Sequence, residues 1–139
     1  MARLNWGMIG GGEGSQIGPV HRIASALDAR FDFMAGALDA DPVKGRDYAQ
    51  RLGITAERAY GDWKEMLEGE KSRKDKLDLV TVATPNSTHY AITKAFLEVG
   101  VHVLCEKPMT VTVEEAEDIA ATAKRTGTIC AVNYGYTGY

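Results

Sequence analysis

The sequence predicts an α/β fold in which helices cover both faces of a doubly wound parallel sheet. Three observations predict it. Short apolar stretches with strand character alternate with helical patterns along most of the 139 residues. Residues 79–83 form a compact apolar run, as expected for a strand that is buried on both faces. A glycine-rich turn at residues 10–18 separates the first strand from the first helix, and we treat residues 1–139 as one domain.

The composition excludes several classes of protein. The net charge of −3 argues against a nucleic-acid-binding surface of the usual basic kind. No apolar run is long enough to span a membrane, and the N-terminus does not resemble a signal peptide. Cys105 and Cys130 lie in apolar runs, which indicates buried thiols in a reducing compartment. We therefore expect a cytoplasmic protein with no nucleic-acid or membrane partner and no metal site.

The first half of the chain alternates strand and helix. A strand at residues 5–9 leads to the glycine turn, and we expect the first helix to run from Pro19. Its apolar face is predicted from helical spacing: Val20, Ile23, Ala24 and Leu27. A second strand, at residues 31–38, ends at Asp39. Asp41 and Pro42 then form an N-cap and first helical position, and Gly53 ends that helix.

The second half continues the alternation. Residues 59–60 are a possible short strand, and Asp62 with Glu65 resembles a capping box for a brief helix through Leu67. The mixed charges of residues 68–78 indicate a solvated helix end and loop. The remaining predicted elements are a strand at 79–83, a helix ended by Gly100, a strand at 101–105, a helix opened by a Thr112–Glu115 capping box and a strand at 128–133.

The glycine turn predicts a phosphate site. Glycine suits positions of positive φ and positions where a ligand lies against bare main chain. Unpaired N–H groups at the first turn of the next helix would face the ligand, with the positive end of the helix dipole behind them. In a strand–turn–helix setting this combination indicates the diphosphate of a dinucleotide. The alternative is a glycine-rich surface turn in an unrelated α/β domain.

Two registers fit the dinucleotide fingerprint G-x-G-x-x-G. One uses Gly10, Gly12 and Ser15, with the third position relaxed to another small residue. The other uses Gly10, Gly12 and Gly18 and treats residues 13–15 as an insertion. We favour the second because Pro19 suits the first helical turn, and because it places Asp39 about 20 residues past the last glycine.

Asp39 bears on the choice of cofactor. A carboxylate at the end of the second strand can accept hydrogen bonds from both hydroxyls of an adenosine ribose, and it would repel a 2′-phosphate. Ala40 follows, so no adjacent arginine is available to bind that phosphate. NAD is therefore favoured over NADP. The alternative is that Asp39 and Asp41 only cap a turn.

Ligands of doubly wound sheets bind at the carboxyl ends of the strands, so the segments that follow the later strands are further candidates. They are Thr84-Pro85-Asn86 with His89, Glu106-Lys107-Pro108, and Asn133-Tyr134. A lysine here can hold a substrate hydroxyl or the nicotinamide ribose, and it can take part in proton transfer. The alternatives are a solvated lysine in a loop and a structural histidine.

Together these stretches resemble the Gfo/Idh/MocA family of nicotinamide-dependent oxidoreductases. The matching residues are Gly10-x-Gly12 with Gln16-Ile17-Gly18-x-x-His21, Asp39, Thr84-Pro85-Asn86-x-x-His89, and Gly100-Val101-His102-Val103-Leu104-Cys105-Glu106-Lys107-Pro108. The three extra turn residues, 13–15, depart from the usual pattern. The resemblance implies a Rossmann domain that binds NAD(P)(H), and hydride transfer between nicotinamide and a hydroxyl-bearing carbon of a sugar, inositol or related polyol.

The resemblance also implies roles for individual residues. Lys107 would be the catalytic residue that polarises the reacting oxygen, with a cis Lys-Pro bond after it. Glu106 would orient Lys107, while Asn133 and Tyr134 would close the cleft. The expected cofactor-binding residues are Gly10, Gly12, Ser15, Gln16, Ile17, Gly18, Asp39, Thr84, Pro85, Asn86, His89, Glu106, Lys107 and Asn133.

Family members continue into a second domain that carries the substrate pocket, the acid/base histidine and much of the oligomer interface. We expect that domain to be absent from these residues, which would then bind cofactor with little turnover, and the whole protein to be a homo-oligomer. Two other functions remain open. One is an NAD-dependent glycosidase, which would return its hydride within each turnover. The other is a non-enzymatic dinucleotide-binding regulatory module, which would be indifferent to loss of Lys107.

Overall fold

The computed structural model describes residues 3–138 and contains one five-stranded parallel sheet. Its strands are β1 (Leu4–Gly10), β2 (Phe31–Ala37), β3 (Leu79–Ala83), β4 (His102–Glu106) and β5 (Cys130–Asn133). The order across the sheet is β2-β1-β3-β4-β5. The chain winds from β1 outward to β2, then crosses back to β3 on the other side of β1. This reversal opens a crevice at the carboxyl ends of β1 and β3, where ligands of doubly wound sheets bind.

Helices cover both faces of the sheet, which confirms the predicted fold class. They are α1 (Ile17–Ala26), α2 (Pro42–Arg51), α3 (Trp63–Lys71), α4 (His89–Glu98) and α5 (Val113–Thr126). Side chains alternate along β1, so Trp6 and Met8 join the core beneath α2 while Ile9 joins the core beneath α3, α4 and α5. None of the helices within residues 3–138 has the length and apolar character needed to cross a membrane.

The predicted helix caps are largely confirmed. The Asp41 side chain accepts the amide N–H groups of Val43 and Lys44, and Pro42 occupies the first turn of α2. At α5, Thr112 and Glu115 form the reciprocal capping box. At α3, Asp62 is the N-cap, but Glu65 accepts the N–H of Gly61 instead of that of Asp62, so the predicted box is incomplete.

Several predicted boundaries shift. The first helix begins at Ile17, two residues before Pro19. Residues 59–60 do not form a named strand, because Ala59 makes only an isolated parallel bridge to Gly36. The fourth strand of the sheet begins at His102, one residue later than predicted, and the last begins at Cys130, two residues later.

The predicted apolar face of α1 is wrong. Val20, Ile23 and Leu27 are 54%, 62% and 81% exposed, whereas the buried residues of the helix are Gly18 and His21. The helix approaches the sheet through its smallest residue and its polar side chains. The spacing identified a stripe of apolar residues, but the packing of the glycine turn decides which side of the helix faces inward.

The charged segment at residues 68–78 is not simply solvated. Helix α3 continues to Lys71 and buries Glu70, which is 2% exposed. Glu70 pairs with the equally buried Arg58, whose Nε donates to Glu70 Oε1 at 2.9 Å. The Tyr60 hydroxyl donates to the same oxygen at 2.9 Å. This buried ion pair joins α3 to the segment that precedes it.

Candidate functional site

A cleft of about 590 Å³ lies at the carboxyl edge of the sheet. Its walls are the glycine turn at residues 10–15, the end of β2 through Asp39, and the loop after β3. Gly61, Asp62 and Trp63 also line it, and they were not among the site residues expected from the sequence. A signal was present, because these residues directly follow the predicted short strand at 59–60 and the strand-end rule applies to them as well.

The glycine turn presents unsatisfied main-chain donors beside this cleft. Within residues 3–138, the amide N–H groups of Gly12, Glu13 and Gly14 have no hydrogen-bond acceptor. Ser15 closes the turn, since its own N–H donates to the Gly12 carbonyl at 3.1 Å and its Oγ accepts the N–H of Gly18 at 3.1 Å. Helix α1 begins directly afterwards, so its positive dipole end lies behind the turn. Such an arrangement suits an anionic group.

Two glycines make this geometry possible. A Cβ at Gly12 would overlap the carbonyl oxygen of Leu38 at the cleft wall, so the main chain there stays bare. A Cβ at Gly18 would overlap the carbonyl oxygen of Gly11, so the helix could not approach the turn so closely. The residues present therefore fit the diphosphate of a dinucleotide, and Gly18 occupies the close-packing position of the register that we favoured.

Arg51 of α2 contacts the inserted turn residues, 13–15. Both carboxylate oxygens of Glu13 accept hydrogen bonds from Arg51, at 3.0 and 2.8 Å. The hydrogen bond from Arg51 also holds the pKa of the Glu13 carboxyl below its usual value. The insertion is thus anchored to α2 as part of the cleft wall.

Asp39 has one carboxylate oxygen available at the cleft. Its Oδ1 accepts the N–H of Asp41 at 2.9 Å, while Oδ2 has no hydrogen-bond partner among the residues that the structure describes. Ala40 follows it in the cleft wall and brings no positive charge. An open carboxylate oxygen in this position can accept hydrogen bonds from vicinal hydroxyls.

The loop after β3 contributes Thr84 and Pro85 to the cleft wall. Asn86 is exposed and begins a single 3-10 turn, Asn86–Thr88. The Thr88 hydroxyl lies 2.7 Å from both Thr84 Oγ1 and the Pro85 carbonyl, and it does not cap α4. The loop is therefore braced by its own threonines.

His89, which we expected to bind cofactor, lies inside the protein and does not line the 590 Å³ cleft. It is 1% exposed, its Nδ1 lies 2.8 Å from the Pro108 carbonyl oxygen, and its Nε2 lies 2.8 Å from the Thr84 carbonyl oxygen. Both ring nitrogens are therefore engaged by main chain. His89 joins the loop after β3 to the loop after β4, which is the structural alternative that the sequence left open.

The loop after β4 presents Lys107. Its side chain is exposed and forms no ion pair within residues 3–138, and the Lys107–Pro108 peptide bond is cis. Glu106 is only 8% exposed. Its Oε2 accepts the Lys107 N–H at 3.2 Å, and its Oε1 accepts Asn133 Nδ2 at 2.6 Å. This group lies at the ends of β4 and β5, farther along the same sheet edge than the 590 Å³ cleft.

The carboxyl of Glu106 is ionised at neutral pH. Burial opposes its ionisation, but hydrogen bonds from Asn133 and His21 outweigh that effect, so the pKa of Glu106 lies below its usual value. The contact with His21 was missed as a site feature. His21 Nε2 lies 2.7 Å from Glu106 Oε1, and the histidine is 7% exposed. The available signal was the place of His21 in the matching motif Gln16-Ile17-Gly18-x-x-His21.

Cys105 lies behind this site, where its thiol donates to the Glu106 carbonyl oxygen at 3.4 Å. Burial raises the pKa of the Cys105 thiol to about 11, so it stays protonated at neutral pH. Cys105 and Cys130 are both free. Among residues 3–138, no group of three or more histidine, cysteine or carboxylate side chains could hold a metal ion.

A parallel sheet of this order, with an open glycine turn at its switch point, defines a Rossmann dinucleotide-binding domain. Comparison with known proteins identifies its family. The family described as "Oxidoreductase family, NAD-binding Rossmann fold" matches residues 4–134. The chain belongs to this Gfo/Idh/MocA family.

Three relatives illustrate the similarity. An uncharacterized oxidoreductase, YfiI, of Bacillus subtilis is 46% identical over 97% of this chain and 35% of its own length. D-xylose 1-dehydrogenase (NADP(+)) of Hypocrea jecorina is 35% identical over 73% of this chain and 25% of its own length. The crystal structure of an inositol dehydrogenase homolog from Azotobacter vinelandii, complexed with NADH and myo-inositol, is 46% identical, with a TM-score of 0.96, and the match covers 99% of this chain and 36% of that one. The chain therefore spans between a quarter and about a third of these relatives.

Proposed function

We propose that this chain is the cofactor-binding portion of an NAD-dependent oxidoreductase that transfers a hydride between nicotinamide and the hydroxyl-bearing carbon of a sugar, inositol or related polyol. The observation that carries the proposal is the glycine turn. Its unsatisfied amides open on a cleft, and the same sheet edge presents Lys107, which forms no ion pair with the residues that the structure describes. The names of the relatives, a xylose dehydrogenase and an inositol dehydrogenase homolog, support the substrate class.

The proposed diphosphate site is formed by main chain. The amides of Gly12, Glu13 and Gly14 would donate to the diphosphate oxygens, with the dipole of α1 behind them. Gly10 and Gly18 allow the turn to take this shape. The other residues that we assign to this end of the cofactor are Ser15, Gln16 and Ile17. Thr84, Pro85 and Asn86 would border the cofactor as it crosses toward the nicotinamide end.

Asp39 favours NAD over NADP. Its free oxygen would accept hydrogen bonds from the adenosine ribose hydroxyls, whereas the 2′-phosphate of NADP would meet a carboxylate followed by the uncharged Ala40. One relative is named for NADP, so the choice within this family depends on the individual chain. We propose NAD for this one.

Lys107 is the proposed catalytic residue of this portion. The bound nicotinamide would supply the hydride acceptor or donor. The ammonium group of Lys107 would donate a hydrogen bond to the reacting oxygen and stabilise negative charge on it. Glu106, held by its neighbours, would fix the main chain of Lys107 through the 3.2 Å hydrogen bond to its N–H. Asn133 would hold the same carboxylate from β5.

Three wider expectations are part of this proposal. A C-terminal domain outside these 139 residues would provide the substrate pocket, the acid/base group and a homo-oligomer interface. These residues alone would then bind cofactor but turn over little, and robust dehydrogenase activity from them would contradict the proposal. The free thiols of Cys105 and Cys130 support a reducing, cytoplasmic setting.

The test of this function is a comparison of two lysine variants in the protein extended by its C-terminal domain. With NAD and myo-inositol as the probe substrate, we expect net formation of NADH. Lys107→Met should lower kcat by at least about 100-fold, because a charge-stabilising donor is lost. Lys124→Met, an exposed lysine in α5, is the matched control and should leave kcat unchanged.

The alternatives give different results. A glycosidase would release product without net NADH. A regulatory module would bind NAD with the same affinity in the Lys107→Met variant and would show no turnover at all. Either result would contradict the proposed function.

A further inference from the structure

His21 makes an unusual contact for a residue of the first helix. It is one of three histidines in the sequence. The ring of His89 contacts main-chain carbonyl oxygens, and the ring of His102 accepts the N–H of Ile129. Within residues 3–138, His21 is the one histidine that contacts a carboxylate, that of Glu106, 85 positions away in the sequence. Both partners are more than nine-tenths buried.

The direction of this hydrogen bond follows from the chemistry of the carboxylate. Glu106 is ionised, so its oxygens can only accept. Nε2 of His21 must therefore carry the proton that it shares across 2.7 Å. Asn133 donates to the same oxygen at 2.6 Å, and the other oxygen accepts the N–H of Lys107. Three separate segments of the chain thus fix one carboxylate: α1, the end of β5 and the loop after β4.

The two ends of this contact belong to two halves of the candidate site. His21 lies one helical turn after Ile17, where the glycine turn passes into α1. Glu106 directly precedes Lys107. A single hydrogen bond therefore connects the helix behind the diphosphate site to the segment that presents the lysine.

We propose that His21 is a positioning residue, which holds the Glu106 carboxylate and thereby sets the Lys107 segment for contact with the nicotinamide half of the cofactor. This inference rests on the proposed function. If His21 has this positioning role, its loss weakens contacts at the nicotinamide end and leaves the adenosine and diphosphate contacts intact. A histidine that merely stabilised the fold would alter both halves alike or neither.

Paired ligands separate these cases. NAD carries both halves, whereas ADP carries the adenosine and the diphosphate but neither the second ribose nor the nicotinamide. We expect His21→Leu to raise the Kd for NAD by about 10-fold, as the loss of a hydrogen bond to a charged group predicts, while the Kd for ADP changes less than about 2-fold. His21→Gln keeps a side-chain N–H donor and should recover most of the NAD affinity.

Two further variants complete the experiment, which uses calorimetric titration of each folded protein. The asparagine side chain of His21→Asn is polar but too short to reach Glu106, so this variant should show the same selective loss of NAD affinity that we expect for His21→Leu. It provides that test if His21→Leu fails to fold. Ser25→Ala is the control on the same helix, because among the described residues the Ser25 hydroxyl donates only to the Arg22 carbonyl. It should leave both affinities unchanged.

The outcomes are distinguishable from failure of the proposed function. If the unaltered chain binds neither ligand, the dinucleotide site itself is refuted. If it binds both, and the His21 variants weaken both equally or weaken neither, the positioning role is refuted while the proposed cofactor site stands. Failure of His21→Gln to recover affinity, relative to His21→Asn, would also overturn the role.

Discussion

Replacement of Asp39 by asparagine tests the proposed recognition of the adenosine ribose. The change keeps an oxygen that can accept the Asp41 N–H, now 2.9 Å from Oδ1, so the local turn should persist. It removes the charge from the free oxygen. Hydrogen bonds to a charged group contribute about 1.5–3 kcal/mol, against about 1 kcal/mol between neutral groups. The expected loss is therefore about 0.5–2 kcal/mol, or about 2- to 30-fold in the Kd for NAD.

The same variant should bind NADP more tightly than the unaltered chain, because repulsion between the carboxylate and the 2′-phosphate is removed. Calorimetric titration with both cofactors measures the two changes. The preference for NAD should decrease, because the Kd for NAD rises and the Kd for NADP falls. Asp32→Asn is the matched control: it lies at the opposite end of β2, where it pairs with Arg3 at the surface. Equal responses of the two variants, or tighter binding of NADP than of NAD by the unaltered chain, would refute the assignment of Asp39.

Three other substitutions test the fold and the site. Glu70→Ala should lower the free energy of unfolding by about 3 kcal/mol, because it leaves the buried Arg58 guanidinium with only the half-exposed Asp75 as a charged partner. In urea titrations, Glu68→Ala on the same helix should change it by less than about 1 kcal/mol. Because the pKa of Glu106 is held below 4.5 in the folded state, its stabilising effect is complete above pH 4.5 and is lost as the pH falls through the folded pKa. Glu106→Gln lacks this contribution, so acidification below pH 4.5 should reduce its free energy of unfolding less than it reduces that of the control Glu117→Gln. Equal reductions in the two variants would contradict this. Gly18→Ala should weaken NAD binding by at least about 10-fold, since its Cβ would push the helix off the turn, and unchanged affinity would count against the turn geometry.

Much of the architecture follows from local sequence signals. The strand at residues 79–83 and the caps at Asp41 and Thr112 were predicted because each depends on neighbouring residues and on backbone chemistry that short patterns encode. The sheet edge that holds the cleft followed from the alternation of strands and helices. The single bridge at Ala59 shows the limit, since a two-residue stretch carries too little pattern to specify a strand.

The parts that the sequence did not predict depend on contacts between distant residues. The face that α1 buries is set by the approach of Gly18 to the turn, not by its apolar stripe. The burial of Glu70 depends on Arg58, and a run of mixed charges does not reveal which member is paired inside. His89 became a brace because two loops meet around it. In each case the role of the residue depends on tertiary contacts, which local sequence patterns do not specify.

The amide resonances of the glycine turn provide the most direct test of the central claim. In a titration of the labelled chain with NAD, followed by two-dimensional ¹⁵N–¹H NMR, the N–H signals of Gly12, Glu13 and Gly14 should shift progressively and saturate. ADP-ribose should move the same signals, because it carries the same diphosphate. Saturating NAD that leaves these three amides unmoved would contradict the account.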